Sequence, residues 1–123
     1  MARVQLGRRG ERLARQYLER AGYRIVAANY RCSWGEIDLV AEDGKELVFV
    51  EVRTRRTASY GSPQESITRQ KAEHLHATAL HYLQDRAAVL CTGDCQWRID
   101  LVSVVLESGQ GPQIDHLKHA VQL

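Results

Sequence analysis

The sequence predicts a mixed α/β domain, with a central mixed sheet of about five strands flanked by helices in the order α-β-β-β-α-β-β. Three observations lead there. Two apolar β-type runs flank an Asp43-Gly44 turn, a strong short-range hairpin signal. Two longer segments, residues 6–21 and Ser62 to about Asp85, carry apolar residues at helical spacing. Further β-type runs precede the hairpin and follow the second helical segment, so the strands are split by a helix. The 123 residues suit one domain, 1–123, and 44% hydrophobic with 26% charged residues is a globular composition.

In residues 6–21, Leu6, Leu13, Ala14, Tyr17, Leu18 and Ala21 fall on one helical face, and Gly22 follows as a C-terminal cap. Glu11 sits on the flank of that face, able to reach what the helix covers or to pair with Arg8 or Arg15. Tyr23–Tyr30 reads as the first strand, and Arg31-Cys32-Ser33-Trp34 links it to the hairpin.

With Asp43 and Gly44 as the central turn residues, Leu39 lies opposite Val48, Asp38 opposite Phe49 and Glu36 opposite Glu51. Glu36, Asp38, Glu51 and Arg53 then share one face, and Ile37, Leu39, Val48, Val50 and Val52 fill the other. Opposed carboxylates repel unless a counter-charge joins them. A hard divalent cation is one such partner, because Mg²⁺ takes oxygen ligands and keeps several waters. The other reading is a solvated face with Arg53 as a salt-bridge partner.

Residues 54–61 form a polar loop whose basic pair, Arg55 and Arg56, can hold a phosphate backbone or simply face solvent. Ser62-Pro63-Gln64-Glu65 has the form of a helix start, with a capping Ser, a Pro at the first position and a Glu completing a capping box. Ile67, Ala72, Leu75, Ala79, Tyr82 and Leu83 make the apolar face of the second helix. Lys71 falls within that face, aimed at the carboxylates of the hairpin or snorkelling out along the helix edge. Residues 86–95 read as a loop, Gln96–Leu106 as a strand and Gln113–Leu117 as a last short strand.

Charge is uneven. Residues 1–62 hold 12 Lys/Arg against 8 Asp/Glu, and residues 63–123 hold 5 against 7. Fourteen of the 17 basic residues are Arg, whose planar fork suits phosphate, so nucleic acid is the expected partner. No apolar run reaches the roughly 20 residues that span a bilayer. No apolar signal region opens the sequence, so a cytoplasmic location without membrane partners is expected. Cys32, Cys91 and Cys95 suit a reducing compartment. Cys91 and Cys95 form only one loose pair, with His74, His76 and His81 distant, where structural zinc takes two tight pairs.

Asp38 followed by Glu51-Val52-Arg53 resembles the core of the PD-(D/E)xK nuclease superfamily. Gly10-Glu11 with Ala14 and Tyr17-Leu18, Asn29-Tyr30-Arg31, Gly35-Glu36-Ile37-Asp38-Leu39, Phe49-Val50-Glu51-Val52-Arg53-Thr54-Arg55, Gly61, Lys71 and Arg98-Ile99-Asp100-Leu101-Val102 narrow the likeness. They resemble the YraN family, small bacterial proteins similar to archaeal Holliday junction resolvases. The resemblance implies a restriction-endonuclease-like fold and a DNA endonuclease hydrolysing phosphodiester bonds, in branched or damaged DNA. It implies Mg²⁺ or Mn²⁺ on Asp38 and Glu51, with Glu11 completing the site, the Val52 carbonyl as an extra ligand and Glu36 as a neighbour. A homodimer fits the resolvase likeness. One position departs from the motif: Arg53 stands where the superfamily carries lysine, and arginine cannot take a proton from water. Lys71 is the candidate substitute. A nucleic-acid-binding module without cleavage is the alternative, and a protein–protein adaptor with a purely structural carboxylate face is a third.

Overall fold

The structure, a computed structural model, describes residues 3–57, 67–90 and 96–122. Its elements are α1 (Arg3–Arg20), β1 (Arg24–Cys32), β2 (Gly35–Asp43), β3 (Glu46–Arg55), α2 (Arg69–Leu90), β4 (Gln96–Val105) and β5 (Gln113–Leu117), in the order expected. The strands form one sheet, in spatial order β1-β2-β3-β4-β5. The β3–β4 pair is parallel and the other three pairs are antiparallel, as α2 between β3 and β4 requires. This mixed five-stranded sheet with helices on both faces is consistent with a restriction-endonuclease-like fold.

α1 ends as the sequence indicates. Gly22 takes φ +95°, and the amides of Gly22 and Tyr23 donate to the carbonyls of Glu19 (3.1 Å) and Leu18 (2.9 Å), a Schellman termination. The apolar stripe of α1 buries Ala14 and Leu18 against Leu39, Ala41, Val48, Val50, Val102 and Val104. On the opposite face, Leu75, Ala79 and Tyr82 of α2 pack on Ile37, Val40, Phe49 and Ile99. Tyr82 meets Tyr30 and Phe49 edge-on at 5.0 and 5.5 Å, and Phe49 meets Trp97 edge-on at 5.7 Å, a geometry aromatic quadrupoles favour.

Three expectations are corrected. Asp43 pairs with Glu46, so Gly44 and Lys45 are the central turn residues rather than Asp43 and Gly44. Gly44 adopts φ +62° at the first central position, where a glycine-led turn needs positive φ. The change moves the register by two residues: Leu39 faces Val50 rather than Val48, and Val40 faces Phe49. Ile37 does not join Leu39 on the α1 side but packs on the α2 side with Val40. The alternation breaks at the Asp38 level, where Asn29 of β1, between the Ala28–Leu39 and Tyr30–Ile37 pairs, takes φ +54°. Among the described residues α2 begins after Thr68, whose Oγ1 accepts from the Lys71 amide at 3.1 Å, and it continues past Asp85 to Leu90, where a loop was expected from residue 86. Ser62, Pro63, Glu65, Cys91 and Cys95 lie outside the described residues.

α1 approaches β3 closely at Gly10, where a Cβ would sit 1.9 Å from Thr54 Oγ1. A helical glycine costs about 1 kcal/mol relative to alanine, and here it lets the helix lie against the strand that carries Glu51. Glu11, the next residue, is thereby held beside the sheet.

Candidate functional site

The carboxylates gather where β2 and β3 separate. Leu39–Val50 is the last paired rung of the two strands, and Asp38 and Glu51 occupy the next positions. Beyond that rung Asp38 Oδ2 accepts a hydrogen bond from the Val52 amide at 2.7 Å, so a side chain takes over from the backbone ladder. The fork opens Asp38 to both sides of the sheet.

On the α2 side, a cavity of about 280 Å³ is lined by Trp34, Glu36, Asp38, Glu51, Lys71 and His74. Glu51 is buried at 8% exposure, and Lys71 Nζ lies 2.7 Å from its Oε2. A buried carboxylate is costly without a partner, and this contact supplies one. On the α1 side, a second cavity of about 290 Å³ is lined by Glu11, Asp38, Val52, Arg53 and Thr54. Asp38 is thus flanked by one cation from α2 and one from its neighbouring strand.

Burial pushes the Asp38 carboxyl up to about 8, with the hydrogen-bonded Glu51 carboxylate beside it adding to the rise. The Val52 amide opposes that shift, and the Glu11 charge reinforces it. Two carboxyl groups this close do not both ionise readily without a cation between them.

The sequence-predicted residues therefore separate into groups. Asp38, Glu36, Glu51 and Lys71 share one cavity, and Lys71 points at the carboxylates rather than out along the helix edge. Glu11, Asp38 and Arg53 share the other. Arg53 is exposed. Among the described residues no group of three or more His, Cys, Asp or Glu side chains is arranged to hold a metal, so Glu11 does not close a three-carboxylate cage. The pair Asp38 and Glu51 still suits Mg²⁺, which is commonly held by one or two carboxylates plus water. Arg55 ends β3 and Arg56 follows it, and neither lines these cavities. No helix among the described residues is long and apolar enough to cross a membrane.

Two lining residues escaped sequence reasoning. His74 lies three positions after Lys71 on α2, a spacing that places it on the same face. Trp34 is 56% exposed at the two-residue turn between Cys32 and Gly35, and only its place between two strands hinted at a hairpin tip. A third unforeseen feature is remote from the carboxylate pair. Arg98 and Asp100 of β4 are buried together, with Arg98 Nε donating to Asp100 Oδ1 at 3.0 Å and Nη2 to Tyr23 Oη at 2.7 Å. Arg98 also pairs with Glu46 and Asp43. His116 Nε2 lies 2.7 Å from Asp100 Oδ2, and the His119 amide donates to Oδ1 at 3.1 Å. Burial pushes the Asp100 carboxyl up, but His116, Arg98 and the His119 amide together outweigh it and hold the group below its ordinary range.

Comparison with known proteins gives a consistent result. The family model of Uncharacterised protein family UPF0102 matches residues 10–104. A UPF0102 protein of Geobacter sulfurreducens is 46% identical over 118 residues, covering 96% of this chain and 89% of its own. Similar proteins from Herpetosiphon aurantiacus (44%, covering 94% of this chain and 93% of its own) and Nocardia farcinica (43%, covering 92% and 86%) carry the same family name. The matched span includes Gly10, Glu11, the hairpin, Lys71, Arg98 and Asp100.

Proposed function

The chain belongs to the UPF0102 family, and from that premise and the geometry of the β2–β3 fork we propose that it is a divalent-metal-dependent endonuclease of the PD-(D/E)xK type, hydrolysing phosphodiester bonds in DNA. The observation that carries the reading is the Asp38–Glu51 pair with Lys71 Nζ 2.7 Å from Glu51. An acid pair with Glu51 buried and Asp38 half-buried, partly compensated by one ammonium and open to solvent on two sides, has the charge to hold a hard cation beside a phosphate. Asp38 and Glu51 would hold Mg²⁺ or Mn²⁺, which when bound supplies an activated water and neutralises charge on the phosphate.

The chain's own residues supply the rest. Glu51 faces Lys71, whose Nζ lies 2.7 Å from its Oε2. Lys71 sets its Nζ beside the carboxylates, in the role the superfamily gives to the lysine that Arg53 replaces. Arg53 remains protonated and offers a forked contact to a non-bridging phosphate oxygen. Glu11 adds negative charge to Asp38 from α1 and so strengthens the site's demand for a cation.

The second reading, a binding module without cleavage, is favoured by Arg53 itself, which cannot act as a base. A cleavage assay separates the two. Purified protein is incubated with Mg²⁺ or Mn²⁺ and labelled single-stranded, duplex, flapped and four-way DNA, beside Glu51→Gln protein. Metal-dependent cutting that the variant lacks supports the nuclease. Binding without cutting on every substrate supports the module.

A further inference from the structure

A cleft of about 670 Å³ runs between α1 and the β1–β2 hairpin and ends at Glu36 and Asp38. Arg8, Arg12 and Arg15 of α1 line one wall, and Arg31 of β1 stands opposite. Positions 8, 12 and 15 follow the i, i+4, i+7 spacing, so three guanidinium groups form one stripe along the helix. Like charges at that spacing destabilise a helix. None of the three makes an ion pair with a described residue, whereas Arg31 lies 3.4 Å from Glu36. The cleft also holds Glu11, Glu36 and Asp38, but the three guanidinium groups of the stripe make no ion pair with them, and a polyanion matches their chemistry.

Past Glu36 and Asp38 the surface continues into the cavity that holds Lys71 and His74, with Trp34 at its mouth. Trp34 sits at the tip of a two-residue turn and leaves more than half of its surface in water. A large exposed ring on a short, paired hairpin is a ready stacking platform. A duplex presents phosphates but hides its base faces, whereas an unpaired strand offers both phosphate and a π-face.

We propose that the α1–β1 cleft and Trp34 form the track of a single nucleic-acid strand. Phosphates lie along Arg8, Arg12 and Arg15, an unpaired base stacks on Trp34, and the backbone between them crosses Asp38. The assignment of a strand to this track deepens the nuclease reading and rests on it for the meaning of the crossing point.

Binding is measured so that it can be read apart from cleavage. Glu51→Gln protein, without added metal, is titrated into fluorescein-labelled oligothymidylate and into a labelled duplex of equal length, with anisotropy and tryptophan emission recorded. The track requires tighter binding to the single strand, with quenched tryptophan emission. Adding Trp34→Ala weakens single-strand affinity about tenfold and leaves duplex affinity unchanged, as the loss of one stacked base predicts. Adding Arg12→Ala and Arg15→Ala instead reduces the slope of log affinity against log salt by about 1.4, the value for two lost phosphate contacts on a single strand. These side chains are exposed, and circular dichroism verifies that each variant is folded. Unchanged single-strand affinity in the Trp34→Ala variant, or tighter binding of the duplex, overturns the track. Failure of the nuclease reading looks different: the parent protein binds the strand through Trp34 and cuts nothing in the cleavage assay.

Discussion

Asp38 carries the sharpest consequence at the level of one side chain. Its carboxyl ordinarily titrates near 3.8 and is pushed up to about 8 in the folded protein by burial and by Glu51. Below about pH 4 both folded and unfolded chains hold this proton, and the group costs the fold nothing. Between about 4 and 8 the unfolded chain loses the proton while the folded one keeps it, so stability falls as pH rises through that window. Each tenfold change in proton activity across it is worth at most about 1.4 kcal/mol. Asp38→Asn retains an oxygen for the Val52 amide and removes the titration. Its melting temperature is expected to exceed the parent's at pH 8 and to approach it at pH 4, measured by calorimetry without metal. Equal pH profiles for the two proteins would show that Asp38 ionises freely in the fold. Lys71 gives the second residue-scale prediction: Lys71→Ala is expected to cut the cleavage rate by about a hundredfold, the lower range for losing a proton-transfer group. Cleavage at near the parent rate would remove Lys71 from the mechanism.

Among the elements, α1 and β4 make the testable claims. Gly10→Ala places a methyl group 1.9 Å from Thr54 Oγ1, so α1 must shift away from β3 or Thr54 must rotate. The gain in helix propensity, about 1 kcal/mol, is outweighed by overpacking of about 1–3 kcal/mol. A lower urea midpoint, together with weaker cleavage as Glu11 moves from Asp38, is the expected result. In β4, Arg98→Met leaves Asp100 only His116 and the His119 amide as partners, without its buried counter-charge, and is expected to cost about 3 kcal/mol by urea unfolding. Replacing Asp100 by Leu in the same protein should restore much of the loss, because the pair rather than either member suits the interior. The order of elements was legible because helical and strand periods alternate cleanly and Gly22 punctuates α1. The placing of Asp38 and Glu51 on one side survived a wrong turn frame because a two-residue slip does not exchange the faces of the sheet. The position of Ile37 was not legible, since the alternation of β2 breaks beside a positive-φ residue, Asn29, of another strand. Nor were Arg98 and Asp100, whose partners Tyr23, His116 and Glu46 arrive from the α1–β1 connection, β5 and β3. Trp34 and His74 were invisible as site residues for the same reason: only the packing of α2 over the β1–β2 turn brings them to Glu51.

For the molecule as a whole, the proposed ion at the carboxylate fork would couple binding to folding. The Asp38–Glu51 pair stands where the sheet divides, with α1 approaching Asp38 through Glu11 and α2 approaching Glu51 through Lys71. A cation held there is a ligand of the folded state alone, because the unfolded chain does not bring residues 38 and 51 together. Stability then rises with metal concentration as RT ln(1 + [L]/Kd), about 1.4 kcal/mol at ten times Kd. For a domain of 123 residues that corresponds to a rise in melting temperature of about 3–6 °C. The rise should be larger at pH 8 than at pH 5, because metal binding must displace the proton that Asp38 keeps more firmly at the lower pH. Thermal melts with Mg²⁺ or Mn²⁺ at both pH values, beside Glu51→Gln protein, measure this directly. A rise of equal size in the variant would place the ion elsewhere on the protein. A rise confined to the parent protein and larger at pH 8 would locate the ion at the fork without any substrate present.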